Sequence, residues 1–184
     1  ACSGPCEIGV LVFNSPGDYE YICSIGSHSS LGMIGTIAVN ETDEIFQPQA
    51  KSELQTAVDL WENDNATALL TYGEINTWDV AQITDMSDLF GGKQDFNSDI
   101  SSWDISNVTS IAAMFADAVT FNGDISNWDV SSVTDMSQLF DGASSFSGNI
   151  STWDVSNVVN MRRMFCRADN FNGDISTWDV SSVT

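Results

Sequence analysis

The chain has 184 residues, of which 26 are acidic and 5 are basic, so its formal net charge is −21 and its isoelectric point is about 4.1. Because Lys and Arg supply most of the affinity for nucleic acid and for anionic membranes, this balance argues against both partners. Hydrophobic residues make up 42% of the chain, too many for a disordered acidic tail, and no apolar run reaches the roughly 18 residues of a membrane-spanning helix.

The N-terminal part, residues 1–46, is predicted to be a β-rich extension. Three short β-prone runs, 8–13, 19–25 and 33–39, are separated by segments rich in Gly, Ser, Asn and Pro. Cys2, Cys6 and Cys23 lie in this part, and Cys166 lies far from them. In a secreted protein four cysteines suggest two disulfides, so we expect one N-terminal cysteine to reach Cys166 or another chain. The single histidine, His28, lies in a stretch of small residues, which argues against a histidine-based catalytic or zinc site.

Residues 47–70 are predicted to form an N-terminal capping helix for the rest of the chain. Leu54, Ala57, Val58 and Trp61 recur at the spacing of one helix face. Such a helix covers the first apolar layer of a repeat array, which otherwise faces water.

Residues 71–184 are organised by a repeat of 25 residues. Each repeat has an Ile, then a Trp three residues later, then an Asp directly after the Trp, and a Phe at its start from residue 96 onward. The Trp residues are Trp78, Trp103, Trp128, Trp153 and Trp178. This period is too short for a propeller blade or a two-helix repeat, and it fits one short strand and one short helix. We therefore expect an α/β repeat: a leucine-rich-repeat-like solenoid of short parallel strands and short helices, five repeats long with the last incomplete.

Within one repeat, Trp128 and Val130 would lie on one face of the strand and Asp129 on the other. Thr134 would then begin the helix that carries Met136, Leu139 and Phe140. The last repeat breaks off at Thr184 after its strand. We expect either that the native chain continues or that another subunit covers this end.

The repeated pattern Phe-Asn-Gly-Asp-Ile-Ser-x-Trp-Asp-Val-Ser resembles the BspA-type surface-protein repeat found in mycoplasma lipoproteins, other bacteria and marine microalgae. The resemblance covers residues 71–184 and leaves residues 1 to about 45 uncovered. It implies a leucine-rich-repeat-like surface protein, secreted or exposed on the cell, with an adhesive or unassigned role and no enzymatic activity.

Stacking of the repeats would place one Asp of each Trp-Asp pair in a column on the outer face, about 4.8 Å apart. We call Asp79, Asp104, Asp129, Asp154 and Asp179 the first Asp column. Asp99, Asp124 and Asp174, interrupted by Asn149, form the second Asp column, and Asp85 and Asp135 form a third. Two interpretations are open. Either these carboxylates accept hydrogen bonds that maintain turns, which we favour, or they bind Ca²⁺ or Mg²⁺.

Other side chains also have alternative interpretations. The Trp column is predicted to be structural core and not an exposed sugar-binding surface. Arg162, Arg163 and Arg167 either neutralise neighbouring acids or form a patch that docks another copy. The sequons at Asn40, Asn65, Asn107 and Asn149 are candidate glycosylation sites, but chance predicts about as many.

The sequence as a whole favours a non-enzymatic extracellular or cell-surface protein that adheres, or assembles head-to-tail into a surface or fibrous structure. The alternative is a binding module whose acidic face captures divalent cations, glycans or a basic protein. No cofactor is required under either interpretation, and Ca²⁺ is the candidate ligand.

Overall fold

The structure is a computed structural model that describes residues 17–22, 34–39 and 45–184. The chain divides into two compact regions, Ala1–Glu44 and Ile45–Thr184. In the first region, strands β1 (Gly17–Ile22) and β2 (Ile34–Val39) pair antiparallel, with Gly17 opposite Val39. These strands overlap two of the three segments predicted as strands. The third segment, 8–13, lies outside the described residues.

The second region begins with two helices, α1 (Lys51–Asn63) and α2 (Asn65–Tyr72). The apolar stripe of α1, Leu54, Ala57, Val58 and Trp61, is buried. The ring of Trp61 meets that of Trp78 edge-on, with centroids 5.9 Å apart. Gln55 Nε2 also donates to the backbone carbonyl of Leu89 at 3.1 Å. Helix α1 therefore lies against the first repeat.

The prediction of a leucine-rich-repeat-like solenoid of parallel strands and short helices is wrong. After a short 3₁₀ turn at Ile75–Thr77, the described chain has neither a strand nor a helix. Parallel pairing is limited to isolated bridges, from Asp85 to Ser110, Ser110 to Asp135, and Asp135 to Asn160. Trp128 and Val130 are buried and Asp129 is exposed, but their backbone joins no ladder.

The predicted helix does not form, because one residue within it has a left-handed backbone conformation. Gln138 has a φ of 57°, and the equivalent residues Asp88, Ala113 and Arg163 have φ between 55° and 60°. Left-handed backbone ends a right-handed helix, because the next N–H no longer points at the carbonyl four residues back. Each repeat is instead a succession of four-residue turns. In repeat 96–120, turns are closed by the N–H groups of Trp103, Val108, Met114 and Ala118, which donate to the carbonyls three residues earlier.

Successive repeats are joined by a row of backbone hydrogen bonds. In each of three junctions, four alternate N–H groups donate to alternate carbonyls of the next repeat. For residues 111–117, these bonds run to Asp135, Ser137, Leu139 and Asp141 at 3.1, 2.8, 3.0 and 2.7 Å. Left-handed residues recur within this row, so it does not have the regular geometry of a strand.

Hydrogen bonds join the tryptophan of each repeat to an isoleucine carbonyl of the preceding repeat. The Ile100 carbonyl accepts the N–H of Trp103 at 3.2 Å and the indole Nε1–H of Trp128 at 3.3 Å. The Ile125 carbonyl likewise accepts from Trp128 and Trp153. One Ile carbonyl thus accepts the backbone bond that closes the turn in its own repeat and the indole bond from the next repeat. This double role explains the fixed Ile-x-x-Trp spacing.

The core is a set of aromatic columns. Phe90, Phe115 and Phe140 are fully buried and nearly parallel, with centroids 5.4 and 5.8 Å apart. Inside a repeat, Phe140 and Phe146 stack at 3.9 Å. Trp78, Trp103, Trp128 and Trp153 are buried, and Trp178 in the incomplete repeat is partly exposed. The interior of the described repeats is therefore filled by side chains.

Candidate functional site

The first Asp column lies on the outside of the repeats, with four of its members exposed and Asp79 half-buried. In each, Oδ1 accepts the N–H of the residue two positions on, at 3.0–3.1 Å. This Asx turn fixes the carboxylate to the backbone directly after the buried Trp.

Hydrogen bonding outweighs like-charge repulsion along this column. The hydroxyl and N–H of Ser106 hold the pKa of Asp104 below its ordinary value, although the charge of Asp129 raises it. Ser156 does the same for the pKa of Asp154, against Asp129 and Asp179. Asp104, Asp129, Asp154 and Asp179, whose pKa values are all lowered, are therefore ionised at neutral pH and form an ordered set of negative charges.

The second Asp column has the same geometry. Asp99, Asp124 and Asp174 are exposed, and each accepts an N–H two residues on at 2.9–3.0 Å. Asn149 takes the place of an Asp in this column and accepts the N–H of Ser151 at 3.1 Å. An amide oxygen therefore supports the turn as a carboxylate does, without the charge.

The two carboxylates of the third column, Asp85 and Asp135, form ion-pair and hydrogen-bond contacts within the protein. Lys51 Nζ lies 3.2 Å from Asp85 Oδ2, and this ion pair ties α1 to the first repeat. Asp135 accepts from the Ser137 N–H and from Asn160 Nδ2. Within the described ranges, no group of three or more His, Cys, Asp or Glu side chains is arranged to hold a metal ion.

The three arginines have different contacts. Arg163 and Arg167 both form ion pairs with Asp141, and the Nη2 atom of each lies 2.8 Å from a carboxylate oxygen. Arg167 also reaches Asp117 at 3.1 Å. Arg162 is exposed, and its backbone N–H donates to the side chain of Asn160. Two of the arginines thus form ion pairs with acids of preceding repeats.

Sequence reasoning missed Asp141, which is 2% exposed. Burial alone raises the pKa of Asp141, but the bond from Arg167 and the charges of Arg163 and Arg167 bring it below its ordinary value. A signal was present in the sequence: Arg163 and Arg167 follow Asp141 by 22 and 26 residues, close to one repeat length. Neighbours in a repeat array lie about one period apart.

The disulfide prediction is wrong where the structure describes it. Among the described residues Cys166 has no disulfide partner; it is half-buried, with Arg163 Nη2 3.5 Å from its sulfur. A disulfide requires two sulfurs about 2 Å apart, and the surroundings of Cys166 here are guanidinium and apolar groups. Cys2, Cys6 and Cys23 lie outside the described residues.

The sequons lie in different settings. Asn65, Asn107 and Asn149 are exposed, and Asn40 is outside the described residues. Asn107 Nδ2 donates to the Ala81 carbonyl at 3.0 Å, which joins two repeats. Across residues 17–22, 34–39 and 45–184, no helix has the length and apolar character needed to span a membrane.

Comparison with known proteins places the repeats in a family. No curated protein and no solved structure matches the chain. A family model matches residues 64–149 and again residues 124–184, which together cover more than half of the chain and all of its complete repeats from residue 71 onward. With its Ile-Trp junctions and Asx turns inside the matched residues, the chain belongs to the family described as "Mycoplasma protein of unknown function, DUF285".

Proposed function

We propose that the chain is a non-enzymatic extracellular or cell-surface protein that adheres to a basic partner through its acidic outer face. The observation that carries this proposal is the first Asp column: ionised carboxylates fixed by Asx turns and repeated once per repeat. The resemblance of the repeat to BspA-type surface repeats supports the location and the adhesive role. Glycans and divalent cations are the alternative ligands.

The geometry suits a partner with several positive charges. Because each carboxylate is already held by its turn, little side-chain freedom is lost when a Lys or Arg approaches it. Repetition lets several weak contacts form at once, which raises the overall affinity well beyond that of one ion pair. Exposed pairs are individually weak and are screened by salt, so the proposed binding falls steeply as ionic strength rises.

Head-to-tail assembly of copies is the other candidate function, and within the surface-protein class the sequence alone favours it. A head-to-tail contact requires that the outer side of the first repeat is free to receive another copy. Helix α1 already covers that side, where its residues Leu54, Ala57, Val58 and Trp61 are buried. For this reason we rank adhesion first.

The experiment uses the full chain and a polylysine-coated sensor as the basic surface. Replacing Asp104, Asp129 and Asp154 together by Asn keeps an amide acceptor for each turn, as Asn149 shows. We expect this variant to melt like the wild type and to bind at least about tenfold more weakly at low salt.

The matched control removes the same charge away from the columns, through Glu74→Gln, Asp95→Asn and Asp169→Asn, which are all exposed. We expect it to lose much less affinity. Equal losses in the two variants would show that net charge alone attracts the surface, and the proposal would then be rejected. If EDTA leaves the binding of both proteins to polylysine unchanged, a divalent cation does not bridge the protein and the surface.

A further inference from the structure

The second Asp column contains one position where the turn is kept and the charge is absent. Asp124 Oδ1 accepts the N–H of Ser126 at 3.0 Å. Asn149 Oδ1 accepts the N–H of Ser151 in the same way, at 3.1 Å. Because the turn forms with either side chain, what Asn149 adds to this column is an amide nitrogen, Nδ2. With Ser151 two residues later, Asn149 also completes an Asn-Ile-Ser sequon, the acceptor sequence for N-linked glycans.

The sequon at Asn107 is engaged in the junction between two repeats. Asn107 Nδ2 donates to the Ala81 carbonyl at 3.0 Å. The hydroxyl of Thr109, the third residue of this sequon, donates to the Thr84 carbonyl at 3.1 Å. Both bonds join repeat 96–120 to the repeat before it. A transferase therefore reaches this amide only after the two bonds have opened, so the folded chain protects Asn107.

The sequon at Asn65 is part of a helix. Asn65 is the first residue of α2. The N–H and the hydroxyl of Thr67 donate to the two carboxylate oxygens of Asp64 at 3.2 and 2.6 Å, which caps this helix. Transfer to Asn65 requires the first turn to unwind and the cap to be lost, whereas N-linked glycans belong to surface loops.

Asn149 meets neither obstacle. It is exposed and lies in a turn outside any helix or strand. Its Oδ1 accepts both the N–H and the hydroxyl of Ser151, at 3.1 and 2.8 Å. Its Nδ2 has no hydrogen-bond partner among the described residues. The amide nitrogen can therefore be modified without opening a junction, while the amide oxygen continues to hold the turn.

We propose that Asn149 carries an N-linked oligosaccharide, an inference that rests on the proposed extracellular location. In the transfer step, Nδ2 loses one proton and forms a bond to the anomeric carbon of the sugar. The bond that breaks joins this carbon to the pyrophosphate of a polyprenyl-linked oligosaccharide donor, and the polyprenyl pyrophosphate leaves. The product amide keeps its oxygen and one N–H, so the turn at Asn149 is preserved.

The first experiment measures transfer to the folded 184-residue chain by a purified oligosaccharyltransferase with its lipid-linked donor. Mass spectrometry gives the rate at each sequon, and peptides of residues 63–69, 105–111 and 147–153 give the rate without a fold. We expect Asn149 to react within about threefold of its peptide, and Asn65 and Asn107 at least about tenfold more slowly than theirs, because they depend on local opening. If the fold slows Asn149 as much as it slows Asn107, the proposal is overturned.

Two kinds of variant check that the product forms through this sequon. Ser151→Ala removes the hydroxyl of the acceptor sequence and should abolish transfer to Asn149, whereas Ser151→Thr should retain it. Asn149→Asp should lose the product and melt like the wild type, because Asp124 supports the same turn. Transfer that persists in Ser151→Ala contradicts the proposal.

The second experiment uses the protein from the cells that make it. A label that does not cross membranes determines its location, and mass spectrometry determines the state of Asn149. We expect a glycan on Asn149 of the surface-labelled chain. A surface-labelled chain with an unmodified Asn149 overturns the inference and leaves the proposed function in place. A chain that the label never reaches rejects the proposed location and, with it, the inference.

Discussion

Asp141 shows how one residue position can differ between repeats that are otherwise alike. The equivalent positions hold Gly91, Ala116 and Cys166, none of which is charged. Asp141 is buried because Arg163 and Arg167 of the next repeat close over it, while their own side chains remain about half exposed. A buried carboxylate is tolerated only when paired and hydrogen-bonded, and here both conditions are met.

Asp141→Asn should lower the free energy of unfolding by about 1–3 kcal/mol. The amide keeps some hydrogen bonds, but both guanidiniums lose the charge that they surround. The measurement is the urea midpoint followed by tryptophan fluorescence.

Asp117→Asn is the matched control, because Asp117 is 54% exposed and contacts the same Arg167. An exposed ion pair contributes at most about 1 kcal/mol, and Asn tolerates the left-handed backbone at this position. If the two substitutions lower the free energy of unfolding equally, burial does not set the strength of the Asp141 interaction.

At the scale of the element, the repeat is defined by turns that contain left-handed residues. Several of these are not glycine: Asp88, Ala113, Gln138 and Arg163 share one position of the repeat. For side chains with a Cβ, this conformation costs about 1–2 kcal/mol. The inter-repeat bond from the same residue, such as Ala113 N–H to the Ser137 carbonyl at 2.8 Å, holds it there.

Ala113→Gly should therefore raise the free energy of unfolding by about 0.5–1 kcal/mol, because glycine adopts a φ of 55° without strain. The neighbouring Ala112 has no positive φ, so Ala112→Gly should lower it by a similar amount through the greater freedom of the unfolded chain. Thermal melts of the two variants measure both changes. The same sign for both would show that position 113 stores no strain.

The left-handed residues also explain what the sequence could and could not predict. Burial of Trp128, Val130 and Phe140 follows from spacing alone, since each recurs at a fixed interval. The choice between a strand with a helix and a run of turns depends on φ at Ala113 and Gln138. Neither residue type signals a left-handed backbone, so the apolar pattern of Met136, Leu139 and Phe140 was equally compatible with a helix. The Asx turns were the better signal, because Asp and Ser two residues apart recur in almost every repeat.

For the whole molecule, two electrostatic effects act in opposite directions. A net charge of −21 makes the folded chain repel itself at neutral pH. The Asx turns favour the ionised form of the same carboxyls, which lowers the pKa values of Asp104, Asp129 and Asp154 from the ordinary 3.8. Salt separates the effects, because it screens long-range repulsion more than hydrogen bonds at a turn.

In about 1 M salt, we expect the free energy of unfolding to fall as the pH drops through 3.8 and below. A carboxyl with a lower pKa in the folded chain stabilises it above the unfolded pKa, and this stabilisation is lost as the pH falls through the folded pKa. The variant with Asp104, Asp129 and Asp154 replaced by Asn should show a shallower fall, measured by urea titration at each pH. An identical pH profile would mean that the turns gain nothing from ionisation. The variant with Glu74, Asp95 and Asp169 neutralised is the control for charge.

The shared Ile carbonyl has a consequence for how such a chain changes in length over generations. Because the Ile125 carbonyl holds Trp128 of its own repeat and Trp153 of the next, every junction depends on the same 25-residue offset. Unequal recombination between two repeats removes or adds a whole period and leaves each remaining junction intact. A deletion of one codon inside a repeat shifts the indole away from its carbonyl and the N–H row away from its partners. A gain or loss of whole repeats is therefore the change in length that preserves these junctions.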